Sequence, residues 1–165
     1  DIVTFMVAGH DTSAYTLSWI LYELSANLDV QSKLRKDLEL HGPDSKYLGY
    51  VIQEGMRLWP VAAQGSIRQL QHDVELEDGK IIPRGETCLV PFFAIFRSAW
   101  IDRADEFIPE RWSEEGSQRK KLEEAVFPFS VGSRNCVGQR LASMQIRKIL
   151  HQLILRYEFV LGKRP

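Results

Sequence analysis

The stretch Phe129–Gly138, FSVGSRNCVG, holds one of only two cysteines in 165 residues. Glycines stand at 132 and 138, and Arg134 lies two residues before the sulfur. A cysteine that only fills a core needs none of these neighbours, so the loop reads as one that presents its thiol. Beyond it, Ala142, Ile146, Ile149, Leu150, Leu153, Ile154 and Tyr157 recur at helical spacing, which predicts an amphipathic helix. Cys136 then falls at or just before a helix N-terminus, where unpaired backbone N–H groups and the positive end of the dipole favour negative charge. Gly132 permits a tight turn, Gly138 lets a flat object approach the backbone, and Arg134 offers a fork of donors suited to a carboxylate. A large planar cofactor bearing carboxylates would meet all these conditions. A buried structural cysteine at a helix start meets the spacing equally well.

The loop resembles, at every defined position, the pattern F-x-x-G-x-R-x-C-x-G of the haem loop in the cytochrome P450 superfamily. Three more motifs of that family occur in its order: AGHDTS at 8–13, EGMR at 54–57 for E-x-x-R, and PERW at 109–112. Together they run through almost the whole chain. The resemblance implies a mainly α fold with a small β-sheet (α+β), in which residues 1–165 are the C-terminal, haem-binding part of a single domain. That part would begin within the family's long oxygen-binding helix, with the N-terminal portion preceding Asp1. Departing from the family, the segment 96–99, FRSA, lacks the polar run often found there.

Carried over residue by residue, the resemblance implies haem, with Cys136 as the axial thiolate on its iron. Phe129 would shield the sulfur, Gly132 and Gly138 would shape the loop, and Arg134 would pair with one propionate. Arg68, following PVAAQGSI, would take a second propionate. Thr12 would hydrogen-bond dioxygen, Asp11 would relay protons, and His10 fills a variable position. Val61, Ala62, Ala63 and Gln64 would line the substrate side. Glu54, Arg57 and Arg111 would form a buried ion cluster bracing the cysteine loop, with Glu110 outside it. The implied reaction inserts one atom of dioxygen into an apolar small-molecule substrate. Asn135 and PERW resemble the eukaryotic microsomal type, which implies a flavoprotein reductase as electron donor and an endoplasmic-reticulum parent. Family members that rearrange peroxides tend to lose the groove threonine, so Thr12 and Asp11 favour oxygen activation.

Read without the resemblance, several of these residues have plainer roles. Residues 1–28 are apolar on nearly every face, as in a helix running through a core, and AGHDTS interrupts them. Asp11 or Thr12 there serves equally as a helix cap. Glu54 and Arg57 lie opposite the stripe Leu48, Val51, Ile52, Met56 and Trp59, which predicts a surface salt bridge of little energetic weight. An arginine in a strand, such as Arg68, is ordinarily solvated. Cys88, within CLVPFF, reads as a core thiol, and a Cys88–Cys136 disulfide stays open.

The rest of the chain is punctuated clearly. Residues 29–41 predict a charged amphipathic helix ended by Gly42-Pro43, and Lys46–Trp59 a third helix stopped by Pro60. VELEDGKIIPRG turns at Asp78-Gly79 and predicts a hairpin. Residues 113–124 predict a charged loop or short helix. A hydrophobic fraction of 44% suits one globular domain, and a net charge of -1 gives no reason to expect nucleic acid or anionic membrane as partner. Neither Ile2–Gly9 nor Cys88–Phe96 approaches the ~20 residues of a membrane span. The histidines at 10, 41, 72 and 151 lie too far from the cysteines for a standard zinc spacing. Two other classes of function remain: a truncated or degenerate product without haem or activity, and a cysteine-nucleophile enzyme using Cys136 with His151.

Overall fold

The computed structural model describes residues 1–113 and 119–162. Ile2–Ala26 forms α1, an uninterrupted α-helix. The expected break at AGHDTS is absent because its hydroxyl groups are satisfied inside the helix. Thr12 Oγ1 donates to the Ala8 carbonyl at 2.6 Å and Thr16 Oγ1 to the Thr12 carbonyl at 2.8 Å. Asp11 and Thr12 therefore cap nothing. In α1 the buried residues are Thr16, Ile20, Glu23 and Leu24, and the apolar side chains of its first half, Ile2, Val3, Phe5, Met6 and Val7, are exposed.

Leu28–His41 forms α2, which ends where Gly42 takes a φ of 59°. Lys46–Leu58 forms α3, opened by Ser45, whose hydroxyl accepts from the Leu48 N–H at 2.8 Å. Its end at Trp59 follows from Pro60, which disfavours helical backbone in the residue before it. Gln139–Arg156 forms α6, burying Ile146, Leu150 and Ile154 at i, i+4 spacing. Ile149, expected on the same stripe, is exposed. Helices α1, α2, α3 and α6 share one core built on Ile20, Leu24, Leu34, Leu38, Leu48, Val51 and the buried stripe of α6. Gly55 lets α3 lie directly on α1, since a Cβ there would overlap the side chain of Ile20.

The β structure is two separate antiparallel ladders rather than one sheet. Strand β1 (Ser66–Gln69) pairs with β4 (Thr87–Val90), placing Arg68 opposite Cys88. Strand β2 (Val74–Glu75) pairs with β3 (Ile81–Ile82) about the Asp78-Gly79 turn. Cys88 is half-buried rather than a core thiol, and both cysteines are free, so no disulfide joins them.

After β4 the chain makes the short helix α4 (Phe92–Ile95) and a 3₁₀ turn over Pro109–Trp112. Arg119–Ala125 forms α5; residues 114–118, within the expected charged segment, lie outside the described residues. A second core gathers Phe92, Phe96, Ile101, Trp112, Leu122 and Val126. Phe92 and Phe96 stack at 5.3 Å, and Phe127 meets both edge-on at 5.2 and 5.5 Å. This core ties the 92–127 segment to the start of the cysteine loop.

Candidate functional site

The loop from Phe129 to Gly138 is held by its own backbone. Cys136 N–H donates to the Phe129 carbonyl at 2.8 Å, and the Cys136 carbonyl accepts from Gln139 N–H at 3.3 Å, at the first turn of α6. Cys136 thus stands three residues before α6, just ahead of its N-terminus as the spacing predicts. Ser130 and Gly132 both take positive φ, 62° and 73°, folding the loop back so that Phe129 and Cys136 meet. Gly132–Arg134 is a single 3₁₀ turn. The Cys136 side chain is exposed, and so are Arg134 and Val137, the latter to 86%. A Cβ at Gly138 would lie 3.9 Å from Cys136 Sγ, an ordinary contact.

Behind the loop the ion cluster is complete. Glu54 and Arg57 are both 0% exposed, and the Arg111 side chain is 7% exposed. Glu54 Oε1 accepts from Arg57 Nη2 and Arg111 Nε at 2.8 Å each and from the Ile108 N–H at 3.1 Å. Its other oxygen accepts from Arg57 Nε and Trp112 Nε1, again at 2.8 Å. Arg57 uses its remaining donors on the carbonyls of Phe96, Ala104 and Glu106. Arg111 reaches the carbonyls of Asp102 and Arg103. A buried ion pair is tolerable only when its lone pairs and protons are met this fully. The surface salt bridge that helical spacing predicts is therefore overturned: donors from residues 108–112 and carbonyl acceptors from residues 96–106 cover the polar face of α3.

Glu110 lies outside this cluster, accepting from Lys33 Nζ and Tyr47 Oη at 2.7 Å each. Burial tends to raise its carboxyl pKa, but the hydrogen bonds from Lys33 and Tyr47 outweigh that and hold it below the ordinary value. Tyr47, buried beside that carboxylate, is pushed far above its ordinary range.

The remaining candidate residues are spread along exposed surface. Asp11 and Thr12 are exposed on α1, and Asp11 Oδ1 lies 2.9 Å from His10 Nδ1. Arg68 is exposed on β1 and donates to the Ile67 carbonyl at 2.9 Å. Val61, Ala62, Ala63 and Gln64 form an exposed turn after α3. Val61 and Ala63 line a cavity of about 290 Å³ with Tyr15, Trp19, Trp59 and Phe93. A second cavity, about 550 Å³, lies behind the cysteine loop, between Ile52 and Met56 of α3, Phe127–Val131, and Ser143 and Arg147 of α6. Sequence reasoning missed Trp112 and the Ile108 N–H as partners of Glu54. The tryptophan stands inside the PERW motif, where only the charged residues drew notice.

Cys136 and Arg134 with the exposed apolar side chains Val131, Val137, Leu141 and Met144 make a donor set with one soft ligand, one cationic fork and an apolar surround. No Cβ at Gly9 would meet any atom within 4 Å. Among the described residues no group of histidine, cysteine and carboxylate side chains forms a metal cage. A single thiolate with apolar walls fits iron carried in a macrocycle, not a bare ion.

The family model described as cytochrome P450 matches residues 1–164. The chain belongs to the cytochrome P450 family. Cytochrome P450 4F5 of Rattus norvegicus is 34% identical over 93% of this chain, and cytochrome P450 3A15 of Cavia porcellus 34% identical over 95%. The chain spans only 32% and 33% of those two proteins. Cytochrome P450 3A19 of Capra hircus aegagrus is 33% identical, covering 94% of this chain and 76% of that sequence. The crystal structure of a cytochrome P450, CYP102L1, superposes with a TM-score of 0.84 at 32% identity, over 95% of this chain and 38% of that one. The mainly α architecture with small β ladders is thus the P450 fold. P450 proteins carry haem iron on a cysteine thiolate.

Proposed function

We propose that this P450 chain forms the thiolate side and the oxygen-facing helix of a haem-thiolate monooxygenase that oxidises an apolar organic substrate with dioxygen. The observation that carries the proposal is the exposed Cys136 sulfur, on a loop whose backbone is pinned to Phe129 and whose neighbours are exposed apolar side chains and Arg134. Haem, when bound, supplies the iron centre at which dioxygen is activated. Cys136 holds it through Sγ, and Phe129 keeps water from the sulfur. Arg134 and Arg68 hold carboxylates, and Gly132 and Gly138 keep side chains out of the way. Thr12 Oγ1, spent as a donor on Ala8 O, turns to donate to a ligand beside α1, and Asp11 passes protons toward it from solvent. Val61, Ala62, Ala63 and Gln64 bound the substrate. The Glu54, Arg57 and Arg111 cluster fixes the segment leading into the cysteine loop.

Electrons come from a flavoprotein reductase, and the parent protein resides at the endoplasmic reticulum; both proposals rest on likeness to the microsomal type. Among the described residues no helix is long and apolar enough to cross a membrane. The test is the intact protein, reduced and treated with carbon monoxide. A red-shifted haem band marks thiolate ligation, and Cys136→Ser removes it while circular dichroism stays unchanged. A well-folded wild type with no haem band would refute the proposal in favour of a degenerate, non-catalytic product.

A further inference from the structure

The cavity of about 290 Å³ beyond the end of α3 is walled by Tyr15, Trp19, Trp59, Val61, Ala63 and Phe93, four of them aromatic, with no charged side chain among the described residues of its lining. The rings are fixed from outside the cavity. Trp59 lies face to face with Trp19, with ring centroids 4.1 Å apart and planes within 7°. Its Nε1 donates at 2.6 Å to Oε1 of Glu23, which is 9% exposed. Tyr22 meets both indoles edge-on, at 5.8 and 6.4 Å. Phe93 carries the Arg97 guanidinium over its ring, the carbon 3.9 Å from the centroid, and the same carbon lies 5.2 Å from the centroid of Trp59. Arg97 takes no part in the wall, and its Nε pairs with Asp105 at 3.2 Å.

A cluster that serves packing alone closes on itself. Here Tyr15, Trp19, Val61 and Phe93 stay exposed around open space, and an exposed apolar concavity is the form of a ligand groove. Because the rings are already held, a ligand that enters has few side chains to order. The wall also has an electrostatic preference. A ring face attracts cations through its negative quadrupole, but at Phe93 and Trp59 Arg97 already takes that attraction. The guanidinium repels a second cation, whereas an uncharged, electron-rich ring gains by stacking on rings whose density Arg97 draws away. The volume, at the low end for a small-molecule site, suits a flat group of one or two fused rings.

Thr12, Tyr15 and Trp19 recur at i, i+3 and i+7 along the unbroken α1 and so share one face of it. Tyr15 stands about 4.5 Å along the axis from Thr12, so the cavity continues the face that carries the oxygen-facing turn. We propose that this cavity is a ring-binding subsite, which takes an uncharged, electron-rich aromatic end of the substrate, a phenol or alkoxyarene, with Tyr15 and Phe93 setting its affinity. The inference rests on the reading of Val61, Ala62, Ala63 and Gln64 as the substrate boundary, and it narrows an apolar substrate to an aromatic one.

The experiment titrates the purified intact protein with a fluoronaphthol and reads binding from the broadening of its fluorine NMR line. A fluorinated N-methylquinolinium serves as the cation of like shape, and a fluorinated decalol as the saturated, non-planar analogue. The naphthol binds, and the other two bind about tenfold more weakly. Phe93→Ala weakens naphthol binding roughly two- to tenfold, the value of one lost ring contact, and Ala63→Trp, which fills the cavity, abolishes it. If Phe93→Ala does not fold, Tyr15→Ala, at an exposed position, must still weaken binding. Quinolinium or decalol bound as tightly as the naphthol, affinity unchanged in these variants, or no binding to the wild type at about 1 mM overturns the proposal. The fluorine signal needs no haem. Loss of ring binding with the carbon monoxide band intact therefore refutes this subsite alone, and loss of the band with ring binding intact refutes the haem-thiolate reading alone.

Discussion

Replacing Glu54 by Gln removes one charge and almost no volume from the most fully bonded point in the fold. Its Oε1 accepts three donors and its Oε2 two, all within 3.1 Å. An amide nitrogen on the Oε1 side faces three donors; on the Oε2 side it faces Arg57 Nε and Trp112 Nε1. The second orientation is the lesser evil and still sets donor against donor twice. It also leaves the 0% exposed guanidinium of Arg57 beside a neutral group. Hydrogen bonds to charged groups are worth about 1.5–3 kcal/mol each, and removing one partner of a buried pair costs about 3–5 kcal/mol. These figures describe the same loss twice over, so the expected total is about 3–5 kcal/mol. Against a typical domain stability of about 5–15 kcal/mol, that is about a fifth or more.

The assay is urea unfolding of the intact protein followed by tryptophan fluorescence, with the slope compared between variants so that a shifted midpoint reads as lost stability. Arg57→Lys supplies the companion measurement: it keeps the charge but brings three donors to a site where Arg57 makes five hydrogen bonds. Two lost bonds to a charged group predict a cost of roughly 3–6 kcal/mol. A loss below about 1 kcal/mol for Glu54→Gln, the value of an exposed pair, would refute the argument that residues 96–112 seal this face of α3.

Gly65 has a φ of 72°, and a Cβ there would overlap the Val90 carbonyl and lie 2.9 Å from Phe92. Gly65→Ala is expected to cost about 1–3 kcal/mol in backbone strain alone, read as a lowered melting temperature and as faster amide exchange in the β1–β4 ladder. Glu110 has its folded pKa held below the ordinary 4.5, so its contribution to stability is fully present above that pH and is lost as pH falls through the depressed value. Half-exposed as it is, the contribution is at most about 1 kcal/mol. The stability gap between wild type and Glu110→Gln should therefore be flat at neutral pH and close on acidification; a gap that widens in acid would show the sign to be wrong.

Helix ends were legible wherever a residue forces them. Gly42-Pro43 closes α2 and Pro60 closes α3, each by a local backbone rule that needs no tertiary context. AGHDTS misled because polar residues in an apolar run imitate a break, whereas hydroxyls that bond to the carbonyl four residues back leave the helix intact. Helix α4, at Phe92–Ile95, was not legible because a short apolar run after a proline reads equally as strand. The fate of Glu54 and Arg57 divides periodicity from motif. Periodicity assigns any charged pair opposite an apolar stripe to solvent and knows nothing of a segment 40 to 58 residues on that folds over it. The Glu23–Trp59 bond shows the same limit, since no spacing rule joins residues 36 apart. Cys136 could be read as presented by its loop, because positive-φ positions and a glycine are local needs. Arg68 and Arg134 stand on a strand and a loop set by different parts of the chain, so no local rule relates their positions.

The fold inverts the usual distribution of side chains. Its charges at Glu54 and Arg57 are sealed at 0% exposure, while Val131 and Val137 on the cysteine loop stand 63% and 86% exposed. Neither half of the inversion serves the stability of this chain alone: buried ion pairs seldom outperform apolar packing, and exposed apolar side chains gain nothing from water. Each half does serve the placement of a rigid loop against something apolar. A guanidinium bound to five fixed acceptors allows one geometry, where apolar side chains would allow several, so the cluster sets the position of residues 96–112 and, through the second core, of Phe127 and the loop that follows. The exposed residues Val131, Val137, Leu141 and Met144 line the stretch of loop and helix that carries the sulfur. An apolar surface left open beside a rigidly held cysteine is what a flat, greasy ligand requires, and it leaves the energy of closing that surface to be released when the ligand arrives.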